Sequence, residues 1–189
     1  MFAELKNFPL RGFHNAQNIA AAIQVAKILA IKDQVILEAI SNYKGLEHRL
    51  EFVVERNGIK FYNDSIGTTP ESSLAAIKSF IEPEIVIVGG VDKKIDYAPF
   101  ADELCKQKNL KALLLIGEIS LKIEELLKQR NFSGTILTGA KNMAGIFKQI
   151  KGQAEKGDVV LLAPASSSFD MFKDYKDRGE QFKKLAKAF

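Results

Sequence analysis

The pattern of apolar and polar positions changes character near residue 47. Upstream of that point, a helix is predicted by the apolar spacing of NAQNIAAAIQVAKILAI (15–31). Asp33 then has the position of an N-cap for a second predicted helix, QVILEAISNY (34–43). Two helices after an irregular start do not make a domain, so segment 1–46 is expected to be the end of a larger unit.

Beyond residue 47, strand-like runs alternate with helical runs. A hairpin is predicted by two strand-like stretches, RLEFVVE (49–55) and IKFYND (59–64), because the Asn-Gly pair between them is a strong turn signal. Thr69 and Pro70 suit the cap and first position of the next helix. The further predicted strands are 84–90, 111–117, 134–139 and 158–164, and the predicted helices are 70–80, 97–108, 120–130, 141–154 and 175–189.

The central predicted strands are short, continuous apolar runs, as expected for a parallel sheet that is buried on both faces. Strands that alternate with helices of this length predict a doubly wound, Rossmann-like α/β domain over residues 47–189. Its sheet is expected to be mostly parallel, with the hairpin at its start and the short helical segment before it.

Composition and charge exclude several classes of protein. The chain has 189 residues, of which 47% are hydrophobic and 26% charged, and its net charge of +4 is spread along the sequence. A dense stripe of Lys and Arg with interleaved aromatic residues is absent, so we expect no nucleic-acid partner. The apolar runs are too short for a membrane span and the start lacks a signal-peptide core, so a cytoplasmic protein without a membrane partner is expected. A single cysteine, Cys105, and two histidines predict neither an internal disulfide nor a metal cluster.

Ligands of open α/β sheets bind beyond the carboxyl ends of the strands. That rule selects four loops of this chain, which are NDSIGTT, GGVDKKIDY, GEIS and APASSSFDMFKDY. In the second loop, two glycines would let the backbone approach a ligand, and Lys93 would offer a charge to a carboxylate or phosphate. In the last loop, three serines (166–168) offer hydroxyl and N–H groups to an anion. An ordinary surface loop and a polar turn are the alternatives for these two stretches.

The segment before the hairpin offers further candidates. The guanidinium of Arg49 matches the geometry of a phosphate, although His48 and Arg49 could equally be solvated linker residues. Asn15 and Asn18 lie at i and i+3, where they could contact a nucleobase edge or act as caps. The dinucleotide motif G-x-G-x-x-G, the triphosphate loop G-x-x-x-x-G-K-[ST] and the serine elbow G-x-S-x-G are all absent from the sequence.

Five stretches in series resemble the Mur ligase family, and the first loop resembles most its D-glutamate-adding branch. These stretches are LRGFHNAQNIAAAI, GLEHRLE, FYNDSIGTTPESSLAAI, VGGVDKK and LLAPASSSFDMFKDYKDRGEQF. The resemblance implies that residues 1–46 are the helical tail of a central ATP-binding domain. It also implies that residues 47–189 are the C-terminal domain, which binds the amino acid.

The resemblance further implies an ATP-dependent ligase of peptidoglycan-precursor and cell-wall synthesis, inactive as this chain alone and monomeric at full length. ATP, D-glutamate and UDP-N-acetylmuramoyl-L-alanine are the implied substrates, and the main ligands of Mg²⁺ are expected outside this chain. The implied site residues are Lys93 and His48 for catalysis, Thr68, Lys93, Ser168, Phe169 and Tyr175 for D-glutamate, and Asn15, Asn18, Arg49 and Asp64 for ATP.

Three other classes of protein remain possible, and one residue departs from the pattern of the family. A sibling ligase that adds L-alanine, a ligase that extends folate with glutamate, and a non-catalytic flavodoxin-like binding module share much of the pattern. The departure is Ile66, which stands where some family members carry a lysine. Lys93 alone, or Lys93 with the help of Lys94, would then have to supply the positive charge.

Overall fold

The computed structural model describes residues 10–189, which fold into one six-stranded sheet with helices on both faces. The strands are β1 (Glu51–Arg56), β2 (Ile59–Asn63), β3 (Glu84–Gly89), β4 (Leu110–Ile116), β5 (Thr135–Leu137) and β6 (Val159–Ala165). The strand order is β1-β2-β6-β3-β4-β5, and only the β1–β2 pair is antiparallel. The helices are α1 (Phe13–Ile28), α2 (Asp33–Asn42), α3 (Pro70–Ile77), α4 (Ala98–Cys105), α5 (Ser120–Gln129), α6 (Met143–Lys151) and α7 (Tyr175–Lys187). This architecture confirms the predicted doubly wound, mostly parallel α/β fold.

The hairpin forms where the Asn-Gly pair predicts it. Asn57 and Gly58 have positive φ angles of 54° and 77°, and Arg56 pairs with Ile59 across the turn. Two consecutive left-handed residues match the twist of the flanking strands. The turn thereby places β2 beside β6 and leaves β1 at the edge of the sheet.

The core consists of two apolar layers, one on each face of the sheet. Every residue of β3 and β6 is buried, as expected for parallel strands that are covered on both sides. One layer packs α3, α4 and α5 through residues such as Ile77, Phe100 and Ile123. The other packs α6 and α7 through residues such as Phe147 and Phe182.

Helix α3 begins with the predicted cap. The Thr69 hydroxyl accepts a hydrogen bond from the Ser72 amide, the Thr69 amide donates to the Ser72 hydroxyl, and Pro70 takes the first helical position. In α2 the expected cap is wrong by one residue, because Lys32 is the N-cap and Asp33 already has helical geometry. The carboxylate of Asp33 still suits this place, since the first turn of a helix favours a negative charge.

The segment 10–46 lies against the sheet domain through one strong contact. Arg11 donates two hydrogen bonds to Glu82, of 3.0 and 2.8 Å, and its guanidinium lies over the rings of Tyr62 and Phe80. The predicted division of the chain at residue 47 stays a prediction, and residues 1–9 of that segment lie outside the described residues. Within residues 10–189, none of the helices is both long and apolar enough for a membrane span.

Candidate functional site

The four selected loops lie together at the carboxyl ends of the strands. The Val91 amide donates to the Ser167 carbonyl over 2.9 Å, which joins the β3–α4 loop to the β6–α7 loop. The Glu118 amide donates to Asp170 over 3.0 Å, which brings in the loop after β4. Lys93 Nζ contacts the Thr68 carbonyl oxygen at 2.5 Å, which brings in the loop after β2. Polar residues that are far apart in sequence therefore share one edge of the sheet.

Gly89 and Gly90 allow the loops to pack this closely. Their φ angles are 143° and 142°. A Cβ atom would lie 1.9 Å from the Ile116 carbonyl oxygen at Gly89, and 2.0 Å from the Ser167 carbonyl oxygen at Gly90. The backbone that these glycines approach is thus that of β4 and of the β6–α7 loop, where the sequence suggested a ligand.

A cavity of about 740 Å³ lies between the helical segment and the sheet domain. All four residues that the resemblance implies for ATP, namely Asn15, Asn18, Arg49 and Asp64, line this cavity. His14 and Tyr43 line it as well and were not singled out from the sequence. The cavity wall is otherwise largely apolar, which suits a flat ring held by a few polar groups.

The two asparagines are linked to each other on one side of this cavity. Asn15 donates to the Arg11 carbonyl over 2.7 Å, and Asn18 donates to Asn15 Oδ1 over 3.4 Å. The N-cap of α1 is Gly12, so neither asparagine is a cap. Asn15 is buried and fixed in place, whereas Asn18 is exposed to solvent.

Asp64 is the buried carboxylate of the cavity. Its Oδ1 accepts the Leu50 amide over 2.9 Å, and its Oδ2 is buried without a hydrogen-bond partner among the described residues. Burial raises the pKa of Asp64 to about 6, although the Leu50 amide and the charge of Arg49 work in the opposite direction. An oxygen of this kind is ready to accept a hydrogen bond from a ligand hydroxyl or to bind a cation.

The residues implied for D-glutamate lie on the loops at the other side of Asp64. Lys93 is exposed and Thr68 is half-buried. Ser168 is buried, and its carbonyl accepts the amides of Met171 and Phe172, while Phe169 is 72% exposed. Tyr175 begins α7, and its carbonyl accepts the hydroxyl of Ser65 over 2.7 Å. The Ser166 hydroxyl, expected to serve an anion, donates instead to the Val91 carbonyl.

His48 lies behind this site, between β2 and α7. Its Nδ1 is 2.9 Å from the side-chain nitrogen Nδ2 of Asn63, and the centroids of the His48 and Tyr175 rings lie 5.8 Å apart in a T-shaped arrangement. It is buried and does not line the cavity. The catalytic role implied for His48 stays a prediction, and its contacts are those of a residue that fixes the backbone next to Arg49.

Arg178 is a central residue that sequence reasoning missed. Its fully buried guanidinium donates to the Ser65 hydroxyl (3.0 Å), the Ser65 carbonyl (2.8 Å) and the Ser166 carbonyl (3.2 Å). Burial lowers the pKa of Arg178 to about 10, against the opposing charge of Asp170. Arg178 thereby ties the loop after β2 to the loop after β6. Its place in an ordinary helical run gave no signal of this role.

Comparison with known proteins identifies the family. The family model described as "Mur ligase, glutamate ligase domain" matches residues 48–166. A curated relative from Thermoanaerobacter sp. (strain X514), named UDP-N-acetylmuramoylalanine--D-glutamate ligase, is 38% identical over 183 residues, covering 96% of this chain and 39% of its own length. A relative of the same name from Desulfitobacterium hafniense (strain Y51) is 40% identical over 178 residues, covering 94% and 38%. The chain thus spans about two fifths of the length of these relatives.

Solved structures support the same fold. The UDP-N-acetylmuramate-alanine ligase of Thermotoga maritima superposes with a TM-score of 0.71 at 18% identity, over 95% of this chain and 39% of its own. The MurF ligase of Thermotoga maritima in complex with ADP gives 0.67 at 21% identity, over 94% and 38%. The match of the family model to more than half of the chain establishes that this protein belongs to the Mur ligase family.

Proposed function

We propose that this chain is the amino-acid-binding portion of an ATP-dependent ligase that joins D-glutamate to UDP-N-acetylmuramoyl-L-alanine. The names of the curated relatives support this substrate, since those relatives are 38–40% identical over more than nine tenths of the chain. The division of the site between the nucleotide and D-glutamate is part of the same proposal.

One observation carries the proposal. The single loop from Asn63 to Thr69 takes part in both halves of the site, with Asp64 on the cavity and Thr68 against Lys93. We assign the cavity to the nucleotide and the loops around Lys93 and Thr68 to D-glutamate. A ligase needs both ligands close together, because the activated carboxyl group must meet the amine of the amino acid.

The proposed reaction has two steps. The carboxylate of UDP-N-acetylmuramoyl-L-alanine attacks the γ-phosphate of ATP, which gives an acyl phosphate and ADP. The amine of D-glutamate then attacks the acyl carbon, a tetrahedral intermediate forms, and inorganic phosphate leaves as the amide forms. Proximity of the two reactants supplies much of the acceleration in such transfers.

We assign recognition of D-glutamate to Lys93, Thr68, Ser168, Phe169 and Tyr175. D-Glutamate carries two carboxylates, so its pocket requires a cation together with N–H or O–H donors. Lys93 supplies the cation from an exposed position. Ile66 adds no charge to this loop, so Lys93 carries more of the neutralisation than in family members with a lysine at that place.

We assign the nucleotide to Asn15, Asn18, Arg49 and Asp64. We expect Mg²⁺ to accompany the nucleotide, and Asp64 is the only carboxylate among the described residues that line the cavity. Mg²⁺ is commonly bound by one or two carboxylates together with phosphate oxygens. Asp64 therefore fits as one ligand, and the main ligands are expected outside this chain.

The test is an NMR titration of the labelled chain with D-glutamate, with L-glutamate as the control. We expect shifts for the D enantiomer alone, clustered at Thr68, Lys93, Ser168 and Tyr175. Lys93→Met should abolish the response, and the matched variant Lys94→Met at the neighbouring exposed lysine should retain it. Equal responses to both enantiomers would favour a sibling ligase or simple anion binding over our assignment.

An activity assay completes the test. Ligation of D-glutamate by the full-length protein should be lost in Lys93→Met and kept in Lys94→Met. We expect no ligation by the 189-residue chain alone, and product formed by that chain would contradict this expectation.

A further inference from the structure

Lys183 lies at the centre of a charge cluster on the inner face of α7. Its ammonium group lies 2.5 Å from Glu47, 2.9 Å from Glu180 and 3.1 Å from Glu51. The lysine side chain is 11% exposed, whereas Glu47 and Glu180 are more than half exposed. Burial alone would lower the pKa of Lys183, but its hydrogen bonds to Glu47, Glu180 and Glu51 raise the pKa above its ordinary value. The same contacts hold the pKa of Glu47 below its usual range.

Glu47 and Glu51 mark the two ends of a short connection, residues 47–51, which we call the hinge segment. It joins the helical segment to β1 and contains Arg49, which lines the nucleotide cavity. Its backbone is strained, because His48 and Leu50 have φ angles of 62° and 43°. Non-glycine residues in this region cost free energy and persist only where surrounding contacts enforce them.

Three hydrogen bonds enforce the shape of the hinge segment. The His48 amide donates to Glu51 Oε2 over 2.9 Å, and the Ile66 amide donates to the His48 carbonyl over 3.2 Å. The Leu50 amide donates to Asp64 Oδ1 over 2.9 Å, inside the cavity. Glu51 Oε2 also accepts the Asn63 side chain over 3.0 Å, while its other oxygen contacts Lys183. One lysine on α7 thus neutralises and orients the carboxylate on which the strained backbone depends.

We propose that Lys183 is a positioning residue, which clamps the hinge segment from both ends and thereby sets Arg49 and the Leu50–Asp64 contact at the nucleotide cavity. This inference rests on the proposed function only where it concerns the nucleotide. Lys183 touches neither the cavity nor the Lys93 loop, so any effect on ligands must pass through the hinge segment.

The cluster is better explained as a clamp than as a metal site. Glu47, His48 and Glu180 have ligand atoms within 4.8 Å of one another, as a bound metal ion would require. The ammonium of Lys183 already contacts both of those carboxylates, and a divalent cation would have to displace it.

The first test is amide hydrogen exchange of the 189-residue chain, with NMR as the method of detection. Lys183→Met keeps the apolar stem and removes the charge. We expect exchange at Leu50 and Ile66 to accelerate about tenfold relative to the amides of β3. Lys184→Met removes the same charge from the adjacent exposed position and should leave both amides unchanged. Lys183→Arg should restore much of the protection.

The outcomes separate a clamp from general stabilisation. Acceleration that is uniform across the sheet, or absent at Leu50 and Ile66, would overturn the proposal. If Lys183→Met does not fold, Glu47→Gln replaces it, because it removes one exposed contact only. That variant should accelerate the same two amides about two- to threefold, and unchanged exchange would again overturn the clamp.

The second test uses the full-length ligase. Lys183→Met should raise the KM for ATP several-fold and leave the KM for D-glutamate and kcat close to wild type, with Lys184→Met as control. An unchanged KM for ATP despite faster exchange at Leu50 would overturn the link to the nucleotide. A wild-type protein without ATP-dependent ligation would refute the proposed function instead, and the exchange experiment would still decide the clamp.

Discussion

The helical segment and the sheet domain use their apolar residues in opposite ways. In the sheet domain, β3 and β6 are buried at every position between two layers of helices. In α1 and α2, Ile23 and Ile36 are the buried apolar side chains, whereas Phe13 is 79% and Ile28 is 82% exposed. The two halves of the candidate site therefore also differ in how much buried apolar contact supports them. The side proposed for D-glutamate rests on a closed core, while one wall of the cavity proposed for the nucleotide is held by few contacts.

The largest loss of stability is expected in the sheet domain when Arg178 is replaced. Arg178→Met leaves the carbonyls of Ser65 and Ser166 without their donor inside the protein. We expect a loss of about 3 kcal/mol in the free energy of unfolding, because unsatisfied buried polar groups are costly. Urea unfolding would measure it. A loss below about 0.5 kcal/mol, the usual scale of an exposed substitution, would contradict a structural role for Arg178.

The sheet domain also contains a carboxyl group whose removal should stabilise it. Glu84 is fully buried, and its Oε2 has no hydrogen-bond partner among the described residues. Burial raises the pKa of Glu84 to about 9, despite a hydrogen bond from Asn109. The folded state therefore binds a proton that the unfolded state releases above its ordinary pKa of 4.5.

Stability must then fall as pH rises from about 5 toward 9, and by linkage this carboxyl group costs about 3 kcal/mol near neutral pH. Glu84→Gln should recover that amount at pH 7 and should match wild type near pH 4, where the unfolded carboxyl is protonated too. Thermal unfolding of both proteins across this range gives the measurement. Parallel pH profiles would show that Glu84 is not neutral in the folded protein.

A smaller and local effect is expected at the contact between the two regions. Arg11→Met removes the paired hydrogen bonds to Glu82 and the contact with the rings of Tyr62 and Phe80. We expect a cost of about 1 kcal/mol for this half-buried pair, confined to the opening of α1 and α2. Hydrogen exchange should accelerate in α1 and remain unchanged in β3, and equal acceleration in both would contradict the separation of the two regions.

The smallest effect on stability is expected on the outer face of α1. Ile28 is 82% exposed and Leu29 67%, and exposed apolar surface promotes association. We expect the 189-residue chain to self-associate at high concentration and Ile28→Glu to weaken this, with a change in stability below about 0.5 kcal/mol. Sedimentation velocity tests it, and a strictly monomeric wild type would contradict the expectation.

Most of the fold could be predicted from local signals in the sequence. The Asn57-Gly58 turn, the Thr69 cap and the apolar runs of β3, β4 and β6 each depend on neighbours in the chain, and each lies where the pattern predicts it. Asp33 was placed one residue wrong because acidic residues suit both the cap and the first turn.

The candidate site was predictable only as a set of loops. Arg178 and Lys183 belong to an ordinary amphipathic helix, and their partners Ser65 and Glu47 lie more than 100 residues upstream. The hydrophobic periodicity of a helix does not show which residues lie in contact when they are so far apart in the sequence. The same holds for Gly89 and Gly90, whose neighbours come from β4 and from the β6–α7 loop.

The two glycines also define how this site can be varied by design. Because carbonyl oxygens lie about 2 Å from each missing Cβ atom, a library that randomises Gly89 or Gly90 will consist mostly of variants that cannot keep the loops together. Residues 93–95, which begin three positions after Gly90, are exposed and include Lys93, the residue proposed to recognise D-glutamate. A search for altered amino-acid preference at the proposed D-glutamate site should therefore keep the glycine pair constant and place its diversity at 93–95.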